Sequence, residues 1–245
     1  EGRDHIAGLV NNIEGQSRVE NVSFKGQIKS KGGNSVTGGI AGSNSMSLVK
    51  RAYVEADIWV HSARNAGMLV AQNFTDNSGS GWGNWGKLMQ SVAKGKLEDA
   101  GSRNAAGISA SIWPYGTIND TVSYATVVNG KELFSSDNEI TDAWMGQKLQ
   151  NLFGVQGQSS GTKTGKDVKF RRLTEAEAEQ KVKSYRITAL EETSANEVTT
   201  EKLNAAILRT STYQDKPGYK AENEQLYQNL ERFMPFYNQE FLINE

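Results

Sequence analysis

Along the first half of the chain, apolar residues recur in blocks with fixed ends. Val19 opens one block and Ile28 closes it, and Val49 with Ile58, Leu88 with Leu97, and Ile118 with Val127 repeat the pattern. A small residue stands two places before each close, at Gly26, Ala56, Gly95 and Ala125. The fourth position is small or β-branched, at Val22, Ala52, Ser91 and Thr121. A short glycine-bearing run precedes each block: Ala7-Gly8-Leu9-Val10, Gly38-Gly39-Ile40-Ala41-Gly42, Ala66-Gly67-Met68-Leu69-Val70 and Ala106-Gly107-Ile108-Ser109. Counted glycine to glycine (8 to 39, 39 to 67, 67 to 107), the copies are 31, 28 and 40 residues apart, a spread that variable loops between fixed strand cores explain.

Alternating apolar positions mark half-buried strands, and the glycines bend the chain from one strand to the next. One copy cannot bury its inner face alone, whereas stacked copies bury it against one another. The pattern therefore predicts an α+β protein: a short single-stranded parallel β-helix (a β-solenoid) of about four repeats over residues 1–130, followed by a helical segment over 131–245. An antiparallel sandwich with coincidental self-similarity is the competing reading.

Past Gly130 the period changes. Trp144, Met145, Lys148, Leu149, Leu152 and Phe153 fall at helical spacing over residues 141–153, with Gly154 as a stop. Residues 154–168 are polar and rich in Gly, Ser and Thr, which predicts a flexible stretch. Leu173-Thr174-Glu175-Ala176-Glu177 reads as a capping box with an apolar staple before it, opening a helix that reaches about Arg186. Further helices are expected over 200–209 and 221–234, the latter with the apolar stripe Leu226, Leu230, Phe233 and Met234 ended by Pro235.

Composition narrows the chemistry. The 245 residues hold 25 glycines, 3 prolines and no cysteine, so disulfides and thiolate metal sites are excluded. The formal charge is −1, without a long run of one sign, so neither nucleic acid nor an anionic membrane is an implied partner. No apolar stretch approaches the roughly 18 residues that would mark a membrane span. The chain begins inside a repeat, without a signal peptide, and reads as part of a longer protein.

Candidate catalysis fails on its parts list. His5 and His61 are the only histidines, and neither begins an H-E-x-x-H. A catalytic zinc takes about three protein ligands and a general base, so no metal or catalytic residue is assigned. A His-dependent serine triad would need an activated serine near His5 or His61, and none is assigned. The stretch from Gly161 to Asp167 misses the phosphate-loop spacing, with Ser160 where glycine is needed and Asp167 where Ser or Thr is needed. What remains is aromatic. Trp82 and Trp85 lie in the Gly/Ser/Asn-rich insertion of the third copy, and Trp113 and Tyr115 lie at the equivalent turn of the fourth. They form either a small local cluster or a partner-binding surface.

The Gly38-Gly39-Ile40-Ala41-Gly42 run, followed by a strand ending in a small residue, is similar to the glycine-rich GLUG repeats of bacterial surface proteins. The stretch from Tyr219 to Leu230, followed by Met234-Pro235-Phe236-Tyr237-Asn238, resembles the region upstream of the catalytic domain in streptococcal immunoglobulin A proteases and related surface zinc metalloproteases. The resemblance implies an extracellular, Gram-positive cell-surface parent whose zinc is carried outside this chain, which itself holds no cofactor. It further implies a non-catalytic accessory domain with two partners, the catalytic domain of the same polypeptide and the immunoglobulin A substrate. A passive structural spacer, and an adhesin-type solenoid binding host glycan through Trp82, Trp85 and Trp113, are the rival functions.

Overall fold

The computed structural model describes residues 5–15, 17–33, 35–74, 86–102, 104–113, 116–134, 149–162 and 170–190. The chain divides into two compact units, Glu1–Glu191 and Glu192–Glu245, and all described residues belong to the first. The helices expected over 200–209 and 221–234 lie outside the described residues, as do residues 141–148.

The first copy contributes β1 (Ile6–Ala7), β2 (Val10–Ile13) and β3 (Arg18–Ser30), and the second β4 (Val36–Gly38), β5 (Ala41–Ser45) and β6 (Leu48–Val60). The third holds β7 (Asn65–Gly67), β8 (Val70–Phe74), β9 (Lys87–Met89) and β10 (Val92–Asp99). The fourth holds β11 (Asn104–Ala106), β12 (Ser109–Trp113), β13 (Thr117–Ser123) and β14 (Thr126–Lys131). Beyond them come β15 (Leu149–Val155), β16 (Ser160–Thr162), β17 (Phe170–Leu173), a helix α1 (Glu175–Tyr185) and a 3₁₀ turn at Thr188–Leu190.

Among the described strands every pairing is parallel, most of them between equivalent strands of successive copies, in one thirteen-stranded and one four-stranded sheet. This removes the antiparallel sandwich. The long strands stack in the register read from the sequence: Val19 faces Val49, Val49 faces Leu88, and Leu88 faces Ile118. Their closing residues align likewise, Ile28 with Ile58, Ile58 with Leu97 and Leu97 with Val127. All of these side chains but the half-buried Val19, which packs against them, are buried in one apolar core, each contributing roughly 1.5–3 kcal/mol.

One register differs by a residue. Val10, Ala41, Val70 and Ser109 share a column, so Gly39 lies against Met68, whose carbonyl accepts from its N–H, and not against Gly67. Tight corners at adjacent positions require both glycines: a Cβ on Gly39 would strike the Met68 carbonyl, and one on Gly67 the Val70 carbonyl.

Strand structure also runs past residue 130. Leu149–Phe153, expected as the end of a helix, belong to β15, which pairs with β13 and then with β17. The cause is a left-handed residue. Asn151 has φ 52°, and Asn21, Arg51, Gln90 and Asp120 take φ of 54°, 55°, 47° and 52° at the equivalent points of the other copies. Each left-handed residue shifts the strand's alternation, so residues three apart, such as Leu149 and Leu152, both turn inward. That spacing imitates a helix. Within the expected flexible stretch 154–168, Ser160–Thr162 form a short strand beside β14, and residues 163–169 lie outside the described residues.

The capped helix stands where the sequence places it. The Thr174 hydroxyl accepts from the Glu177 N–H, the Glu177 carboxylate accepts from the Thr174 N–H, and left-handed Arg186 ends α1. The segment from Leu173 through Leu190 packs as a strap over the outer side of the large sheet. Leu173, Ala178, Tyr185 and Ile187 cover Tyr53, Val92, Val122 and Phe153, which stand in one column across four strands. Tyr185 donates to Asp120 at 3.1 Å, Lys181 pairs with the same carboxylate at 2.6 Å, and the Ser23 hydroxyl of β3 donates to the Ala189 carbonyl at 3.4 Å. The strap thus reaches from the later strands back to the first copy.

Candidate functional site

Four aromatic residues are the sequence-derived candidates. Trp82, Trp85 and Tyr115 lie outside the described residues. Trp113 is the last residue of β12 and pairs with Phe74, the last residue of β8. The stems of the two aromatic-bearing turns therefore meet at one corner. The N–H of Gly86 donates to the Phe74 carbonyl at 3.2 Å, and the N–H of Thr117 donates to the Gly86 carbonyl at 2.8 Å. Two buried asparagines brace this corner: the Asn44 amide donates to the Asn73 side chain at 2.8 Å, and Asn73 donates to the Thr117 carbonyl at 2.9 Å.

A second region comes from the outward faces of β3, β6 and β10, in register side by side. Lys25, Glu55 and Lys94 form one outward row, Gln27, Asp57 and Lys96 the next, and Lys29, Trp59 and Glu98 a third; the row of Gly26, Ala56 and Gly95 lies between the first two, with the Ala56 methyl turned into the core. Glu55 lies 3.4 Å from Lys25 and 3.0 Å from Lys94, and accepts from the Tyr53 hydroxyl at 3.1 Å. The bond from Lys94 is the largest influence holding the Glu55 carboxyl below its ordinary range; burial opposes it, and Tyr53 and Lys25 add to the lowering. Burial chiefly, and then Glu55, push the Tyr53 phenol upward. Tyr124 is pushed up by burial and by the nearby Glu179 and Glu175.

The backbone of the intervening Gly26, Ala56 and Gly95 row floors an open groove of about 500 Å³, which Asp57, Lys94, Tyr124 and Gln158 also line. Gly95 is required here: its φ is +109°, and a Cβ would strike the Ala56 carbonyl. Beyond the groove, Trp59 stacks on exposed His61 with ring centroids 5.9 Å apart and planes within 6°. Asp57 is exposed and has no hydrogen bond or ion pair among the described residues. The sequence signal was present but unread. Tyr53, Glu55, Asp57, Trp59 and His61 occupy every second position of β6 and its end, and in a strand such positions share a face.

The described residues do not fit a zinc site. No three His, Asp or Glu among them come together as a possible metal-binding group, and His61 is engaged with Trp59. No described helix is long and apolar enough to cross a membrane.

No family model and no solved structure matches this chain. Two curated proteins of Streptococcus pneumoniae serotype 4 do. Zinc metalloprotease ZmpB is 34% identical over 272 aligned residues, covering 99% of this chain and 14% of that protein. Zinc metalloprotease ZmpC is 26% identical over 250, covering 99% of this chain and 12% of that protein. The chain thus spans about one seventh of the length of these relatives or less. Along its whole length, this chain of stacked parallel strands is homologous to one region of the streptococcal zinc metalloproteases.

Proposed function

We propose that the chain is a β-solenoid accessory region of an extracellular zinc metalloprotease of the Gram-positive surface. In this reading it lies between an N-terminal portion and the protease domain, carries no catalysis itself, docks on the protease domain, and helps recognise or gate immunoglobulin A. The observation that carries the reading is the end-to-end match to a small fraction of a zinc metalloprotease, 99% of this chain against 14% of the relative. Zinc and the general base then belong to another part of the parent polypeptide. A stack of in-register strands is stiff, and a stiff surface beside a protease positions a large protein substrate without ordering cost at the moment of cleavage.

The Phe74–Trp113 corner supports the choice of contact surface, because the turns carrying Trp82, Trp85 and Tyr115 both spring from it. Tryptophans at the centre of an interface each carry about 2 kcal/mol or more. In the full-length parent, Trp82→Ala combined with Trp85→Ala should lower immunoglobulin A cleavage roughly tenfold or more, because 1.4 kcal/mol is a factor of ten. The melting temperature of the 245-residue chain should stay nearly unchanged. A clear loss of stability with cleavage intact would make the tryptophans a local cluster, and the contact surface would have to be sought elsewhere.

A further inference from the structure

We propose that the outward face of β6 and the adjoining groove form a binding site for a neutral oligosaccharide, a reading independent of docking on the protease. Three features meet there. The floor of Gly26, Ala56 and Gly95 lets a ligand approach the backbone closely. Asp57 offers two carboxylate oxygens with no partner among the described residues, while Glu55 beside it is already held by Lys25, Lys94 and Tyr53. One row along the strand, Trp59 and His61 supply a flat stacked aromatic surface.

The ligand chemistry follows from what the face offers and what it lacks. β6 is paired on both sides, with β3 and with β10, so it has no open edge to hydrogen-bond a peptide as an added strand. What remains are side-chain acceptors and donors (Asp57, Lys94, Gln158) and ring faces. A ligand built of rigid rings bearing adjacent hydroxyls matches both: the hydroxyls donate to the Asp57 carboxylate, and the apolar face of a ring lies on Trp59. The groove crosses neighbouring strands, which repeat every ~4.8 Å, so successive ring units meet successive strands. Acidic and basic side chains alternate across the rows, Lys25–Glu55–Lys94 and then Asp57–Lys96, so the face favours a neutral sugar over a sulfated or sialylated one.

The test applies the labelled 245-residue chain to an array of defined neutral, sialylated and sulfated oligosaccharides, alongside Asp57→Asn and Trp59→Ala. Asp57 is exposed and has no partner among the described residues, so Asp57→Asn should melt like the parent chain while its affinity for the bound neutral sugars falls tenfold or more. Trp59→Ala should lose the same sugars. The proposal is overturned if the unaltered chain binds no neutral oligosaccharide, or if binding survives in a folded Asp57→Asn chain. Binding to a glycoprotein that persists undiminished after enzymatic removal of its glycans would also overturn it, in favour of a protein-binding face.

Discussion

Ile58→Asp abolishes the cooperative melt of the chain, whereas Glu55→Ala shifts it by only a few degrees. The two residues are three apart on the same strand but face opposite media. Ile58 is 1% exposed and sits in register between Ile28 and Leu97 in the central core. An aspartate there removes apolar burial on both sides and places a carboxylate where no described side chain is positioned to pair with it. The cost is several kcal/mol, against a total margin of about 5–15 kcal/mol for a folded domain. Glu55 makes two ion pairs, but its side chain is 36% exposed, and exposed pairs contribute about 0–1 kcal/mol. Circular dichroism melts of the two variants decide the matter. Coincident curves would mean that the column Ile28–Ile58–Leu97 is not the core.

Arg172→Ala should be the most damaging change at the far end of the stack. The Glu132 carboxylate is 5% exposed, lies 2.8 Å from the Arg172 guanidinium, and accepts from the Ser159 hydroxyl at 2.7 Å. This triad joins β17 to the residue that follows β14 and the residue that precedes β16. Among the described residues, removing the arginine leaves the buried carboxylate with only the Ser159 hydroxyl to satisfy it, a loss of about 3 kcal/mol. For a protein of this size that lowers Tm by about 6–12 °C. Adding Glu132→Gln to Arg172→Ala removes the orphaned charge and should recover part of the loss, the signature of direct coupling. A single Arg172→Ala chain that melts with the parent would show that the last strands are held by packing alone.

The fold was legible where side-chain periodicity controls it. The opening and closing aliphatics of each copy, Val19 and Ile28 onward, gave the register because each must meet its counterpart in the next copy. Thr174 and Glu177 marked the start of α1 because unpaired N–H groups there need those side chains. Legibility failed where the backbone departs from regular strand. Left-handed positions are held by Asn21, Arg51, Gln90, Asp120 and Asn151, and although Asn and Asp accept that conformation readily, Arg and Gln do not announce it. Without that break, Leu149, Leu152 and Phe153 looked helical. The third copy's glycine was misaligned by one residue because Gly39 and Gly67 serve neighbouring corners, not equivalent ones.

The candidate site was less legible than the fold. Tryptophans in a glycine-rich insertion stand out in the sequence at residues 82 and 85, while the regular alternation of β6 marks only a strand. Yet the structure brings Asp57, Trp59 and His61 together with a small-residue floor supplied by neighbouring copies. The small positions Gly26, Ala56 and Gly95 were noticed as part of a repeat, but their joint role as a floor depends on stacking, which single-copy reading does not display.

The central claim, that this region serves a protease by docking on it, is tested most directly by titrating the 245-residue chain against the separately produced zinc-protease portion of the parent polypeptide. Linked partners meet at effective concentrations of about millimolar, so even modest affinity secures docking within one chain. The account predicts saturable binding with a Kd of about 100 μM or tighter, weakened by Trp82→Ala with Trp85→Ala. No binding at about millimolar concentrations would contradict it and leave the stacked strands as a spacer.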